Sequence, residues 1–301
     1  MMKPSRKILL LVCLLCAAAC RTASARKPDR VVDLWSGPAP GETTRHSGDT
    51  LPRRPDEDPP ATRIKNITRP QLEIYDPLPA HRNGVAVLIL PGGGYKYVVR
   101  DKEGSEAAEW LNKLGITGCV LRYRTKDGAD RPLWERPVQD GQRALSLLRS
   151  RAEEWRLDAR NIGLLGFSAG GQAASIVATR FDDRTYNVGD EIDSASCRPD
   201  FALLIYPWQL VDADTDKLKD EVTVTPETPP TFLVHAHNDS ATSLSSVLFY
   251  AALKRNGVAG ELHIYETGGH GYGLRTVEGS RINTWPSRAE DWLRGRGIVG
   301  D

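Results

Sequence analysis

The sequence predicts an α/β domain with a mainly parallel central sheet and helices on both faces. Three observations predict it. Short continuous apolar runs recur along the chain, among them VAVLIL (85–90), NIGLLGF (161–167) and FALLIYP (201–207), and such runs suit strands buried on both sides. Segments of helical period separate them, as the crossovers of parallel strands require. Three glycine-rich stretches, LPGGGY (90–95), GFSAGG (166–171) and GGHGYG (268–273), each fall just after a strand, at the edge where sheets of this kind bind their ligands.

Taken in order, residues 26–62 are rich in prolines and charges, LPRRPDEDPP (51–60) above all, and show no period. They read as an irregular arm on a domain spanning 63–299. ITRPQLEIYDP (67–77) alternates like an early strand, VAVLIL is a buried strand, and GITGCVLRYR (115–124) is another. Between the last two, EGSEAAEWLNKLG (103–115) places Ala107, Ala108, Trp110, Leu111 and Leu114 on one helical face, with Gly115 as the cap. RPVQDGQRALSLLRSRAEEW (136–155) is a second helix, with Pro137 in its first turn and Ala144, Leu145 and Leu148 inward. The strand NIGLLGF, the helix GGQAASIVATR (170–180) and the strands FALLIYP and PPTFLVHAH (229–237) follow. SLSSVLFYAALKRNG (243–257) is a helix with Leu244, Val247, Leu248 and Ala251 as its apolar face. ELHIYE (261–266) is the last strand and SRAEDWLRGRG (287–297) the last helix. No internal repeat is present.

The 301 residues suit one large domain. Lys+Arg 40 against Asp+Glu 39 leaves almost no net charge, and no basic stripe with interleaved aromatics marks a nucleic-acid surface. A neutral substrate fits better. The start, MMKPSRK followed by the apolar run Ile8 to Ala19, is basic and then apolar over a length short of the roughly 20 residues a membrane span needs. It reads as a signal peptide over 1–25, and the protein as exported. Cleavage after Ala23-Ser24-Ala25 is expected, and the alternative, before Cys20, would leave a lipid anchor there. Cys13, Cys16 and Cys20 belong to that segment, so Cys119 and Cys197 remain, expected as free thiols. Asn66-Ile67-Thr68 fits a glycosylation acceptor but reads as incidental beside a bacterial-type signal.

GFSAGG stands where a strand meets a small-residue helix, and G-x-S-x-G at such a junction fits the sharp turn that projects a serine from the sheet edge. A serine hydroxyl attacks only if a base takes its proton and an acid orients the base. Of the six histidines, His46, His81 and His263 read as structural or solvated, whereas His270 lies in a glycine loop after the last strand and can reach back over the edge. Asp239 directly follows the strand TFLVHAH, while Asp212, Asp214 and Asp216 sit in a polar excursion. The candidate catalytic set is therefore Ser168, Asp239 and His270. A competing reading makes His235, His237 and Asp239 metal ligands, since alternate strand positions share a face; no further ligand is evident, so no metal is expected. Attack on an ester leaves an oxyanion, for which backbone N–H groups of Gly93, Gly94 and Ala169 are the candidate donors. That accounts for three successive glycines after a strand.

With these residues in view the chain resembles the α/β-hydrolases, and within them the carbohydrate-esterase group related to acetylxylan and feruloyl esterases. The resemblance rests on LPGGGY with KEG (102–104), WLNKLGITGCVLRYR, RPVQDGQRAL, GFSAGG, FLVHAHND and GGHGYG, and covers roughly residues 63 to 295 in order. The segment VVDLWSGPAPGE (31–42) is similar to the leader of exported members. The resemblance implies the α/β-hydrolase fold, a Ser168-Asp239-His270 triad, an ester of a plant-polysaccharide sugar, most plausibly acetyl, as substrate, and no cofactor. Lipase-type esterases of the superfamily carry His-Gly-Gly-Gly where this chain has Pro91-Gly92-Gly93-Gly94, a departure that acetylxylan-type members share. Tyr95 and Trp208 are the candidates to stack on sugar rings, with ordinary packing as the alternative for each. A general small-ester hydrolase or serine peptidase, and a non-catalytic hydrolase-like binding protein, are the alternatives.

Overall fold

The computed structural model describes residues 26–125 and 131–300; the signal-peptide reading and Cys20 lie outside them. The strands are β1 (Arg30–Asp33), β2 (Ser47–Thr50), β3 (Arg63–Ile67), β4 (Gln71–Tyr75), β5 (Ala86–Leu90), β6 (Val98–Val99), β7 (Thr117–Arg122), β8 (Ile162–Phe167), β9 (Ala202–Ile205), β10 (Val211–Asp212), β11 (Lys217–Leu218), β12 (Thr231–Ala236) and β13 (Gly260–Tyr265). The helices are α1 (Glu106–Lys113), α2 (Glu135–Ser150), α3 (Ala152–Trp155), α4 (Ser168–Thr179), α5 (Leu244–Arg255) and α6 (Trp285–Gly295). Within the described residues one sheet of eight strands runs in the order β1-β4-β7-β5-β8-β9-β12-β13. All of it from β7 to β13 is parallel; β4 and β1 are antiparallel additions at one edge. The expected architecture, a mainly parallel sheet covered on both faces, is what the chain forms.

Parallel strands between two helix layers must be apolar on both faces, and β5 shows how. Leu88 and Leu90 join the core under α2, α4 and α5, whereas Val87 and Ile89 join the core under α1 and α6. Burying each such side chain is worth about 1.5–3 kcal/mol, so a single polar substitution in β5 damages the one layer its side chain faces.

The register brings the functional loops to one level. Leu90 pairs with Gly166, Phe167 with Ile205, Val234 with Ile205 and Ala236 with Tyr265. The glycine run after β5, Ser168 after β8, Tyr206 after β9, Asp239 after β12 and His270 after β13 therefore share the carboxyl edge of the sheet.

Four expectations need correction. The arm is not irregular: Arg30–Asp33 pairs antiparallel with β4, and Ser47–Thr50 with β3 in a small second sheet. Both strands are four residues long and pair with distant partners, so a local period could not mark them. Leu34 and Trp35 then dock on α2. The Trp35 Nε1 donates to Asp140 at 3.3 Å, and the Arg143 guanidinium lies 4.9 Å above the indole and donates to the Leu34 carbonyl at 3.0 Å. ITRPQLEIYDP is not one strand, because Pro70 cannot donate to a ladder and β3 and β4 separate around it. The helix over 136–155 breaks at Arg151 into α2 and α3. Finally, α5 is turned from its expected face: Ser245, Ser246, Phe249 and Leu253 are buried, while Leu244 and Val247 are 45% and 36% exposed. The apolar pattern yields here because Ser246 has a buried partner, His235, whose Nδ1 stands 2.9 Å from its Oγ.

Candidate active site

Phe167 leaves β8 in an extended conformation and α4 begins at the next residue. Ser168 makes that turn at φ +53, in the left-handed region a serine rarely occupies. A side chain at Gly166 would place Cβ 2.6 Å from the Gly170 carbonyl oxygen, and one at Gly170 would come within 2.1 Å of the Leu90 carbonyl oxygen. The two glycines thus let the start of α4 press against β8 and β5, which is the physical content of the G-x-S-x-G spacing.

The Ser168 Oγ lies 2.7 Å from His270 Nε2, and His270 Nδ1 lies 2.7 Å from Asp239 Oδ2. With Nδ1 carrying its proton toward the carboxylate, Nε2 is free to accept from the serine. Asp239 is held in place by the Ala241 N–H, which its Oδ1 accepts at 2.7 Å. Its loop is tied to that of His270 by the Gly269 N–H, which donates to Asn238 Oδ1 at 2.9 Å. Burial works against the Asp239 charge, but donors from His235, His270 and the Ala241 backbone outweigh it and hold the carboxyl well below the usual carboxylate range. The three residues singled out in the sequence are therefore brought together in the expected order.

The glycine run passes directly over the serine. A Cβ on Gly92 would sit 2.8 Å from Ser168 Cβ, and one on Gly93, at φ +135, would collide with the Tyr97 carbonyl oxygen at 1.9 Å. The Gly92 N–H is taken by Glu103 at 2.8 Å. Among the described residues no hydrogen bond takes the N–H of Gly93 or Gly94. The Ala169 N–H is in the first turn of α4, where backbone donors have no partner within the helix.

Other expected residues fall in different places. Trp208 is half-buried beside the site, and its backbone N–H donates to the Ser168 carbonyl at 3.0 Å. Tyr95 is only 2% exposed and its hydroxyl donates to Gln172 at 3.0 Å, so it packs behind Trp208 at 6.3 Å and offers no face to a sugar. His235 is buried and His237 exposed; β12 ends at Ala236, which removes the shared face a metal pair needs. Instead His235 Nε2 approaches Asp239 Oδ2 at 3.1 Å, a second partner for the acid that the sequence did not suggest. His46, His81 and His263 lie away from this edge, on or before β2, β5 and in β13, and Asp212 caps its own turn through Thr215. Cys119 and Cys197 are buried free thiols.

A cleft of about 570 Å³ opens beside His270. It is lined by Glu57, Asp58 and Pro59 of the arm, by Lys102 and by Leu274 to Val277. A larger cleft of about 790 Å³ is lined by Arg26, Asp76, Leu78 and Arg82, at the amino edge of the sheet, and no residue of the Ser168 site lines it. Two residues of the site went unrecognised in the sequence. Glu103, in the KEG motif, is buried beneath the glycine run, and Tyr206 at the end of β9 is fully buried against His270. The only signal for either was position, next to a glycine run and at a strand's carboxyl end.

A mainly parallel sheet with antiparallel strands at one edge, a left-handed serine at a strand–helix junction, and a histidine and acid on later strands define an α/β-hydrolase. Residues 72–201 match the BD-FAE family. The chain is 30% identical over 223 residues to an acetylxylan esterase of Xylanibacter ruminicola, covering 66% of this chain and 43% of that protein. It is 29% identical to endo-1,4-beta-xylanase B of Butyrivibrio fibrisolvens, covering 62% of this chain and 32% of that protein. Thus the chain spans less than half the length of these curated relatives. An acetyl ester-xyloside bifunctional hydrolase from Caldicellulosiruptor lactoaceticus superposes with TM-score 0.69 at 28% identity, covering 91% of this chain and 98% of that one. The chain is an α/β-hydrolase that resembles acetylxylan esterases.

Proposed function

We propose that this protein is an exported serine esterase that removes acetyl or similar small acyl groups from sugars of plant polysaccharides. Ser168 Oγ attacks the ester carbonyl as His270 Nε2 takes its proton, and Asp239 holds the imidazole and balances its charge. The N–H groups of Gly93, Gly94 and Ala169 receive the oxyanion, each such donor being worth about 3 kcal/mol in the barrier. Collapse expels the sugar hydroxyl, protonated by His270, and water then repeats the sequence on the acyl-enzyme. The observation that carries the reading is the continuous 2.7 Å and 2.7 Å spacing from Ser168 through His270 to Asp239.

Support for a sugar ester comes from the relatives, an acetylxylan esterase and a xylanase among them, and from the cleft beside His270. That cleft is lined by His270, the group that protonates the leaving oxygen, together with Glu57, Asp58, Lys102 and Arg275, which suit a hydroxyl-rich alcohol better than a lipid. Trp208, half-buried next to Ser168, is the aromatic wall proposed for substrate. Among the described residues no helix is long and apolar enough to cross a membrane.

Acetate release from acetylated xylan, measured beside hydrolysis of an aryl acetate and an aryl octanoate, tests this. Xylan and aryl acetates are expected to be cleaved, and the octanoate at least tenfold more slowly, since acyl pockets discriminate by about 10–200-fold per methylene at best. Cleavage of the aryl esters alone would point to a general small-ester hydrolase, and a faster octanoate reaction would contradict the small-acyl reading.

A further inference from the structure

Glu103 has a place in the site that the Ser-His-Asp chemistry does not use. It lies in a single π-helical turn, Asp101–Ser105, immediately before α1, and is 3% exposed. Turns of this kind are uncommon and concentrate at functional sites. One carboxylate oxygen, Oε2, accepts the Gly92 N–H at 2.8 Å. The other, Oε1, accepts the Tyr206 hydroxyl at 2.9 Å. Tyr206 in turn accepts the Gly273 N–H at 2.9 Å, and its ring stands edge-on to His270 at 5.1 Å and to Tyr272 at 4.4 Å.

Resting on the serine-esterase reading, we propose that Glu103 is a positioning residue that fixes the oxyanion glycine run and the His270 loop to one another through its two oxygens. Each half of the site is a glycine loop: residues 92–94 on one side, and 268, 269, 271 and 273, all at positive φ, on the other. Neither loop has a regular ladder to hold it. The site needs the donors and the base placed within a fraction of an ångström of one another, because a 1 Å error costs about 10²-fold in rate. A carboxylate is suited to the task, since both of its oxygens accept and both partners here donate. Glutamine cannot replace it without facing an NH₂ group toward one of the two donors.

The fold alone gives little reason to keep a charge there. Burial raises the Glu103 pKa against its two donors, and an unionised or apolar residue at a buried site usually costs less. The position of the charge, directly below Gly92 and within reach of the His270 loop, accounts for it. A Cβ on Gly92 would lie 2.6 Å from Glu103 Oε2 on one side and 2.8 Å from Ser168 Cβ on the other, so acid, glycine run and serine are contiguous.

The test is a double-mutant cycle of Glu103→Gln and Tyr206→Phe in the full chain with an aryl acetate, joined to hydrogen exchange on the same proteins. Glu103→Gln is expected to lower kcat by about 10- to 100-fold with KM within about threefold, on protein whose thermal midpoint shows it folded. Tyr206→Phe is expected to lower kcat less, and the double variant to be no worse than Glu103→Gln alone, because both changes cut one connection. Exchange in Glu103→Gln is expected to speed up in both segments, 91–95 and 268–274. An unchanged kcat on folded protein, additive losses, or faster exchange in one segment only would overturn the proposal. Should the wild type cleave no ester at all, the esterase reading fails, and exchange by itself still decides whether the acid couples the two loops.

Discussion

Ser168→Ala and Ser168→Gly are both expected to abolish ester hydrolysis, with kcat lowered by on the order of 10⁵- to 10⁶-fold, yet to differ in stability in a way that reports the strained turn. Alanine keeps a Cβ at φ +53, where a side chain costs about 1–2 kcal/mol. Glycine removes that cost and adds about 0.5–1 kcal/mol of unfolded-chain entropy. The glycine variant should therefore be the more stable of the two by about 1 kcal/mol, a rise of about 2 °C in Tm for a domain of this size. Thermal unfolding of the two variants measures the difference. An alanine variant as stable as the glycine one would mean that the serine carries no strain and that the elbow is not held by its neighbours.

Asp239→Asn is expected to lower kcat by about 10³- to 10⁴-fold with little change in KM, because the amide no longer fixes the tautomer that leaves His270 Nε2 free. Its effect on stability should depend on pH. The folded carboxyl titrates well below its usual range, so its contribution is fully present above the unfolded value of about 4 and is lost as the pH falls through the folded value. Denaturant unfolding should show Asp239→Asn less stable than wild type at pH 7 and the gap narrowing at pH 3. A constant or widening gap would contradict the ionised, donor-stabilised carboxylate. Asp212→Asn, in a turn remote from Ser168 where the carboxylate accepts only from Asp214 and Thr215, should leave the rate unchanged.

Much of this arrangement was legible in the sequence, because the signals were local. Apolar runs too continuous for one-sided strands marked β5, β8, β9 and β12, and glycines at fixed offsets marked the elbow and the glycine run proposed to receive the oxyanion, since only a residue without Cβ permits those approaches. Chain order and strand ends were enough to separate Asp239 and His270 from other acids and histidines. What escaped was non-local. The edge strand Arg30–Asp33 exists because β4 offers it a ladder and α2 offers Trp35 a seat. The face of α5 was misread because Ser246, polar on paper, is satisfied by a histidine on β12. Tyr95 had the right neighbourhood and the wrong direction, its hydroxyl drawn inward to Gln172. Glu103 lay unmarked inside a recognisable motif, since nothing in KEG itself tells that the carboxylate meets Gly92 and Tyr206.

The central claim is that Ser168, made nucleophilic by His270, forms the acyl-enzyme. Peptide mass spectrometry after reaction with a fluorophosphonate tests it most directly. Wild type should gain one phosphonate, on Ser168, within minutes at neutral pH, while His270→Ala should label at least a thousandfold more slowly and Ser168→Ala not at all. A modification found on another residue, or undiminished labelling of Ser168→Ala, would contradict it.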